Sequence, residues 1–335
     1  MKILVTGGLG YIGSHTVVEL INNKYEVVII DNLSNSELFI LDNIEKITGV
    51  RPIFYNQDLL DFMKTNEIFK KEKINGVIHF AAFKSVPESI NKPLLYYTNN
   101  LLSLINVLKS MQENTVSNIV FSSSCCVYGQ PVKLPVSENT TFKKADSPYA
   151  ESKQISEQII QDFVKSNNTI KSISLRYFNP VGAHESGLIG ELPIGVPDNL
   201  VPYITQTAAG IRKELSVFGN NYNTKDGTAV RDYIHITDLA SAHLKAISRL
   251  LSKKSKSLYE FFNVGTGAGF SVLDVITSFE KINNLKLNYS FKDRREGDIE
   301  EIYSDVKKSK NILEWESKKT LDEMMSSAWK WQKNL

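Results

Sequence analysis

Short β-branched runs alternate with longer stretches of helical spacing through the first half of the chain. Apolar runs at Lys2–Thr6, Glu26–Ile30, Pro52–Tyr55, Gly76–Phe80, Ile119–Ser122 and Ile173–Arg176 read as strands. Several are continuous rather than alternating, as expected for strands of a parallel sheet covered by helices on both faces. Helical spacing occupies 11–23, 61–71, 93–113 and 149–166. Strand–helix alternation with short polar connections predicts an α/β fold built on a doubly wound parallel sheet.

Beyond residue 180 the texture changes. The stretch Asn179–Asn199 carries Gly182, Gly187, Gly190, Gly195 and three prolines, which predicts a segment that is largely loop. Short strands and helices then mix, with a polar spacer at Lys253–Ser257. The expected division is a nucleotide-binding domain over 1–180, to which a segment near 231–265 returns. A smaller mixed α/β substrate domain takes 181–230 and 266–335. The helix at 93–113 is apolar over a wide arc that includes Leu94, Leu95, Leu101, Leu102, Leu104, Ile105, Val107, Leu108 and Met111. Such an arc fits either a deeply buried helix or one packed on both the sheet and a second subunit.

Composition narrows the partners. The chain has 335 residues, with 39 Lys plus Arg against 37 Asp plus Glu and a net charge of +2. That balance offers no electrostatic footprint for nucleic acid or an anionic membrane. Cys125 and Cys126 are adjacent, a spacing that rarely meets disulfide geometry, and no second pair or histidine cluster completes a metal site. This is the cysteine usage of a reducing compartment. The leading apolar run, Ile3 to Val5, is too short for a signal-peptide core. The expectation is a cytoplasmic protein with no metal, no membrane partner and no nucleic acid.

Val5-Thr6-Gly7-Gly8-Leu9-Gly10-Tyr11-Ile12-Gly13 follows a strand and opens a helix. Glycines at 7, 10 and 13 permit a tight turn and close backbone approach to a pyrophosphate, whose charge suits a helix N-terminus. Asp31 ends the next strand 18 residues past Gly13. A carboxylate there takes the hydroxyls of an adenosine ribose and repels a 2′-phosphate, which favours NAD over NADP.

Tyr149 and Lys153 are spaced i, i+4 just after Pro148, a residue suited to the first turn of a helix. A neighbouring ammonium favours the phenolate, so the pair is expected to bring the tyrosine toward a working range for proton transfer. Ser122-Ser123-Ser124 ends a strand on the edge where doubly wound sheets place their sites. The Ser124 hydroxyl is placed to hold the oxygen that Tyr149 deprotonates.

With these residues in view, the chain resembles the extended short-chain dehydrogenase/reductase family, whose fold is of Rossmann type. TGGLGYIG at 6–13, Asp31, HFAA at 79–82, SSS at 122–124 and YAESK at 149–153 occur in the family's order. Within that family it resembles the UDP-galactose/UDP-glucose 4-epimerases. YIGSHT at 11–16, DNLSNS at 31–36, SSSCCVYG at 122–129, LRYFNPVGAH at 175–184, DGTAVRDYIHITDLA at 226–240 and RREGD at 294–298 carry the likeness.

The resemblance implies that NAD lies against Gly7, Gly10, Tyr11, Ile12, Gly13, Asp31, Asn32, Leu33, Ser34, Asn35, Ser36, Asp58, Leu59, Phe80, Ala81, Ala82, Phe83, Lys84, Asn99 and Phe178, together with Ser124, Tyr149 and Lys153. It places the UDP-sugar at Ser124, Tyr149, Asn179, Asn199, Phe218, Arg231, Tyr233, Arg295, Asp298 and Ile302. It also implies a homodimer formed through the 93–113 and 149–166 helices. The implied reaction interconverts UDP-galactose and UDP-glucose through a 4-keto sugar, with Tyr149, Lys153 and Ser124 as the catalytic residues.

Two departures bear on this. Related sugar-nucleotide 4,6-dehydratases follow the equivalent of Ser124 with an Asp-Glu pair; Cys125-Cys126 stands here instead, which disfavours dehydration. Four residues past Asp298, where bulk closes the hexose pocket in the family, the chain has Ile302 rather than tyrosine. The alternative of a bifunctional or UDP-GlcNAc/UDP-GalNAc 4-epimerase therefore stays open. A non-catalytic dinucleotide sensor is a third reading, but it need not keep Ser124, Tyr149 and Lys153 together.

Overall fold

The computed structural model describes residues 1–295 and 298–335, so Glu296 and Gly297 of the RREGD motif lie outside the described residues. Six strands come from the first half: β1 (Lys2–Thr6), β2 (Glu26–Asp31), β3 (Ile53–Asn56), β4 (Gly76–His79), β5 (Asn118–Ser124) and β6 (Lys171–Tyr177). They join the later strand Tyr259–Val264 in one seven-stranded sheet, all of whose pairings are parallel. From one edge the order is Tyr259–Val264, β6, β5, β4, β1, β2, β3. The order reverses between β1 and β4, and the crevice at that point is where open α/β sheets take their ligands.

The continuous apolar runs are explained by two cores, one on each face. Ile3, Val5, Ile29, Ile78, Val120 and Ile173 point to one face and pack with Val17, Leu20, Leu239 and Ala246. These last come from α1 (Tyr11–Asn22) and the helix Ile236–Leu251. The alternate residues Leu4, Val28, Ile30, Val77, Ile119 and Phe121 face the other way, against Phe69, Leu104, Val107 and Ile160. Those belong to α3 (Phe62–Glu72), α5 (Pro93–Glu113) and α6 (Pro148–Ser166). Each fully buried aliphatic of this kind stabilises the fold by roughly 1.5–3 kcal/mol.

Two helices escape the pattern reading, α2 (Phe39–Thr48) and α4 (Val86–Asn91). The first begins at Leu38, whose side chain gives no cap, so the usual start signal is missing. The second has only six residues, too few to show a period. In α5 the wide arc divides. Leu104, Val107, Leu108 and Met111 are buried, while Leu94, Leu95 and Leu102 are 78%, 42% and 39% exposed.

The Asn179–Asn199 stretch is a three-residue strand, Asn179–Val181, followed by loop up to the helix Leu200–Ala208. A third cluster gathers Val201, Ile204, Leu215, Val217, Phe279, Met324 and Met325 from the later helices and strands. Small sheets here pair Leu215–Phe218 with Tyr289–Lys292, and Val230–Arg231 with both Phe270–Ser271 and Glu301–Ile302. Among the described residues, no helix is long and apolar enough to cross a membrane.

Candidate functional site

The turn between β1 and α1 is shaped by glycines. Gly7 has φ +67°, and a Cβ there would stand 2.9 Å from the Ala81 nitrogen on the neighbouring β4 loop. A Cβ on Gly13 would collide with the Gly7 carbonyl oxygen, so α1 can run this close to the turn only without a side chain there. Gly10 stands at the N-terminus of α1, with no side chain capping the helix and no acidic residue in its first turn. Backbone N–H groups left without a side-chain acceptor beside a positive helix end suit an anion.

Asp31 lies beside this turn. Its carboxylate accepts from the Leu9 backbone N–H at 3.0 Å, from the Leu33 N–H at 3.0 Å and from the Ser36 hydroxyl at 2.8 Å. These bonds hold the acid at the rim of the glycine turn. Asn32 donates to Asp58 at 3.1 Å, which ties the loops after β2 and β3. Leu33 takes a positive φ, Asn35 is exposed, and Ser34 N–H bonds back to Asn32 at 3.1 Å. Leu59 is buried and Ile12 packs on the core.

After β4 comes the run Phe80, Ala81, Ala82, Phe83, Lys84. Its backbone is clamped by Asn100, which accepts from Phe83 N–H at 2.8 Å and donates to Phe83 O at 3.1 Å. Asn99 donates to that same Asn100 oxygen at 3.0 Å. A glycine cradle, a carboxylate at the ribose distance in the chain and an uncapped helix end are the fittings a dinucleotide requires, and this chain has all three.

Ser124 ends β5, and Tyr149 and Lys153 stand one turn apart on α6, whose N-cap Ser147 accepts from the Ala150 N–H. Lys153 is buried, and its Nζ donates to the Ser122 carbonyl at 2.7 Å while lying 5.9 Å from the Tyr149 ring centre. Burial pushes the Tyr149 phenol well above its usual value of 10.0, with Cys126 and Tyr177 adding to the rise and the Ser124 hydroxyl opposing it. Burial also lowers Lys153 to about 8.

Cys125 and Cys126 are free, and burial raises their thiols to about 12 and about 11. Neither is an acid/base group near neutral pH. Among the described residues no cluster of His, Cys, Asp and Glu is arranged to hold a metal ion.

Apart from Ser124 and Tyr149, the residues expected at the nucleotide-sugar come from the second half of the chain. Arg231 donates to Asp298, and the Arg295 guanidinium sits 4.0 Å over the Phe218 ring centre. Arg231 and Ile302 are register partners in adjacent strands. Tyr233 is buried on the strand Tyr233–His235, which pairs with Asn179–Val181. Ile302 is 2% exposed and clusters with Val127, Tyr128, Val136 and Phe178.

Several residues that organise the site escaped the motif reading. The Glu191 carboxylate takes Lys84 Nζ at 2.9 Å and the Asn199 amide at 2.6 Å, so one acid joins residues expected at two different ligands. Asp232, fully buried, accepts from Thr266 N–H at 2.8 Å, Thr266 hydroxyl at 2.6 Å and Ser304 hydroxyl at 2.5 Å. It locks the strand bearing Arg231 to the segment bearing Ile302. Asp232 lies inside the 226–240 motif, but nothing in its spacing singled it out. Asn100 did leave one, as a polar residue inside an apolar helix.

The family model described as GDP-mannose 4,6-dehydratase matches residues 4–328. A curated UDP-glucose 4-epimerase of Pasteurella multocida is 49% identical over 333 residues, covering 99% of this chain and 98% of its own. A UDP-glucose 4-epimerase structure from Stenotrophomonas maltophila, with bound NAD and formylated UDP-arabinopyranose, superposes with a TM-score of 0.97 at 43% identity, over 100% of this chain and 98% of that one. A second, from Bifidobacterium longum with NAD+ and UDP, has a TM-score of 0.95 at 44% identity, again over 100% and 98%.

Proposed function

The chain belongs to the GDP-mannose 4,6-dehydratase family and, within it, to the UDP-glucose 4-epimerases, and from that premise we propose how its residues interconvert UDP-galactose and UDP-glucose. The enzyme is an isomerase and NAD is its cofactor. The single observation that carries the reading is the convergence of Tyr149 and Lys153 of α6 on the Ser122–Ser124 end of β5, with two thiols where dehydration needs an acid pair.

When bound, NAD supplies a reversible hydride acceptor for C4 of the hexose, held by the glycine turn, Asp31 and the Phe80–Lys84 run. Tyr149 takes the proton of the 4-hydroxyl at its phenol oxygen and returns it after the sugar has turned over. Ser124 holds that oxygen throughout. The Lys153 ammonium, fixed by the Ser122 carbonyl, supplies the positive charge that a phenolate needs in a buried site. Arg231 and Arg295 hold the diphosphate, with Asn179, Asn199, Phe218, Tyr233 and Asp298 around the nucleotide. Firm anchoring at the UDP end leaves the hexose free to present either face.

The domain division at 180, with 231–265 returning to the sheet, is part of the same proposal, as is a cytoplasmic location. So is a homodimer through α5 and α6, which the exposed Leu94, Leu95 and Leu102 support. Light scattering at micromolar concentration giving the monomer mass would reject the dimer. A second reading, acceptance of 2-acetamido sugars, is favoured by Ile302, which is smaller than tyrosine and drawn into a mixed aliphatic and aromatic cluster with Val127, Tyr128, Val136 and Phe178.

The deciding experiment incubates the purified protein, with no cofactor added, with UDP-galactose and separately with UDP-GalNAc, and follows the anomeric protons by NMR. Conversion of UDP-galactose is expected. Conversion of both supports the second reading, and conversion of neither after NAD is added overturns the assignment.

A further inference from the structure

Two consecutive residues near the end of β5 each engage a different residue of α6. The Ser122 carbonyl accepts from Lys153 Nζ at 2.7 Å and the Ser123 hydroxyl donates to Glu157 Oε1 at 2.5 Å, while Ser124 beside them accepts from the Cys126 N–H at 3.2 Å. Tyr149, Lys153 and Glu157 follow one another at intervals of four, along one flank of the helix. The first two are catalytic in the proposed reaction; the mechanism has no use for the third.

Glu157 is nevertheless the most heavily bonded side chain in this region, and it is wholly buried. Arg176 of β6 grips it with a two-pronged contact, Nε at 2.9 Å and a terminal nitrogen at 2.6 Å. The Tyr259 hydroxyl, from the outermost strand, adds a bond at 3.0 Å. Arg176 in turn lies over the rings of Tyr128, Phe142 and Phe261, at 5.2, 4.6 and 4.3 Å. One carboxylate thus ties the helix of the catalytic pair to three adjacent strands. A buried ion pair contributes little net stability compared with apolar residues of the same shape, so its presence here points to geometry.

We propose that Glu157 is a positioning residue for the epimerisation: held by Ser123, Arg176 and Tyr259, it sets the rotation and height of α6 so that Tyr149 and Lys153 meet Ser124. The inference rests on the epimerase reading. Its carboxylate also favours the Lys153 ammonium against burial. The other groups facing that ammonium are the Cys126 thiol, the Tyr149 phenol and, from β4, His79, which burial keeps neutral down to a pH of about 3.

The test compares Glu157→Gln and Ser123→Ala with the wild type, all loaded with NAD. Two readouts are taken: the kcat–KM split on UDP-galactose, and the near-ultraviolet titration of the Tyr149 phenolate, isolated from the other tyrosines by subtracting Tyr149→Phe. A displaced α6 is expected to lower kcat about 10- to 100-fold in Glu157→Gln with KM nearly unchanged, since small misplacements of reacting groups act on the chemical step. The phenolate should form at higher pH, because the ammonium supporting it is both shifted and less favoured. Ser123→Ala keeps the ion pair and removes one hydroxyl, so it decides the matter if Glu157→Gln does not fold; a smaller fall in kcat at constant KM is expected. Wild-type kcat and an unmoved phenolate titration in Ser123→Ala and any folded Glu157→Gln overturn the proposal, as does a loss confined to KM. A wild-type protein without epimerase activity defeats the function instead, and the phenolate titration then still reads the positioning.

Discussion

Lys153 keeps an ammonium where water does not reach, and the cost of that arrangement is measurable. Its pKa is lowered from 10.5 to about 8 by burial, so between those values the unfolded chain holds a proton that the native state has lost, and stability rises with pH. Below about 8 the full penalty is present, roughly 3 kcal/mol at 1.36 kcal/mol per unit. Lys153→Met should therefore unfold at higher denaturant concentration than the wild type at pH 7. The gap should close as the pH approaches 10.5, and activity should be lost throughout. An unchanged midpoint would refute the burial argument. Tyr149→Phe removes one oxygen and nothing that touches the glycine turn. It is expected to lower kcat by about 10² to 10⁴, the usual worth of a positioned acid/base, while NAD recovered from the denatured protein stays at one per chain. The i, i+4 spacing of this pair was legible in the chain, as were the glycines and Asp31. The burial that raises the tyrosine's pKa was not, because it depends on how much protein closes over the phenol.

At the scale of elements, the proposed function rests on α1 and α6, and each is vulnerable at its first turn. Gly13→Ala brings a methyl group against the Gly7 carbonyl, backbone against backbone, with no flexible side chain to yield. The variant should lose bound NAD and unfold at least about 1 kcal/mol more easily, which cofactor fluorescence and urea titration would report. The N-cap of α6 is Ser147, whose hydroxyl accepts from the Ala150 N–H at 3.2 Å. Ser147→Ala should cost about 1 kcal/mol of stability and, by loosening the turn that bears Tyr149, lower kcat more than it raises KM. Both helices announced themselves through glycine or proline punctuation and a clear apolar face. In contrast α2 starts without a side-chain cap, though Ile40, Leu41, Ile44 and the closing Gly49 mark it, and α4 shows only a Ser85–Glu88 start signal and Pro87 over six residues, too few for a period.

Across the whole molecule, the parallel sheet was legible where apolar runs were dense, and the ties between distant segments were not. The two cores of the sheet follow from apolar runs whose alternate residues serve opposite faces. The ties that bring distant segments to the crevice, Glu191 to Lys84 and Asn199, and Asp232 to Thr266 and Ser304, join single residues far apart in sequence and carry no local signature. The last strand of the sheet, Tyr259–Val264, arrives some eighty residues after its neighbour β6, and that delay has a consequence for biosynthesis. While the ribosome is still making the intervening segment, β6 is an open template of unpaired N–H and C=O groups, flanked by freshly collapsed aliphatic surface. A nascent chain halted before residue 264 lacks the strand that closes that edge. Ribosome stalling upstream should accordingly yield sticky fragments, and stalling downstream, with the strand outside the exit tunnel, soluble ones.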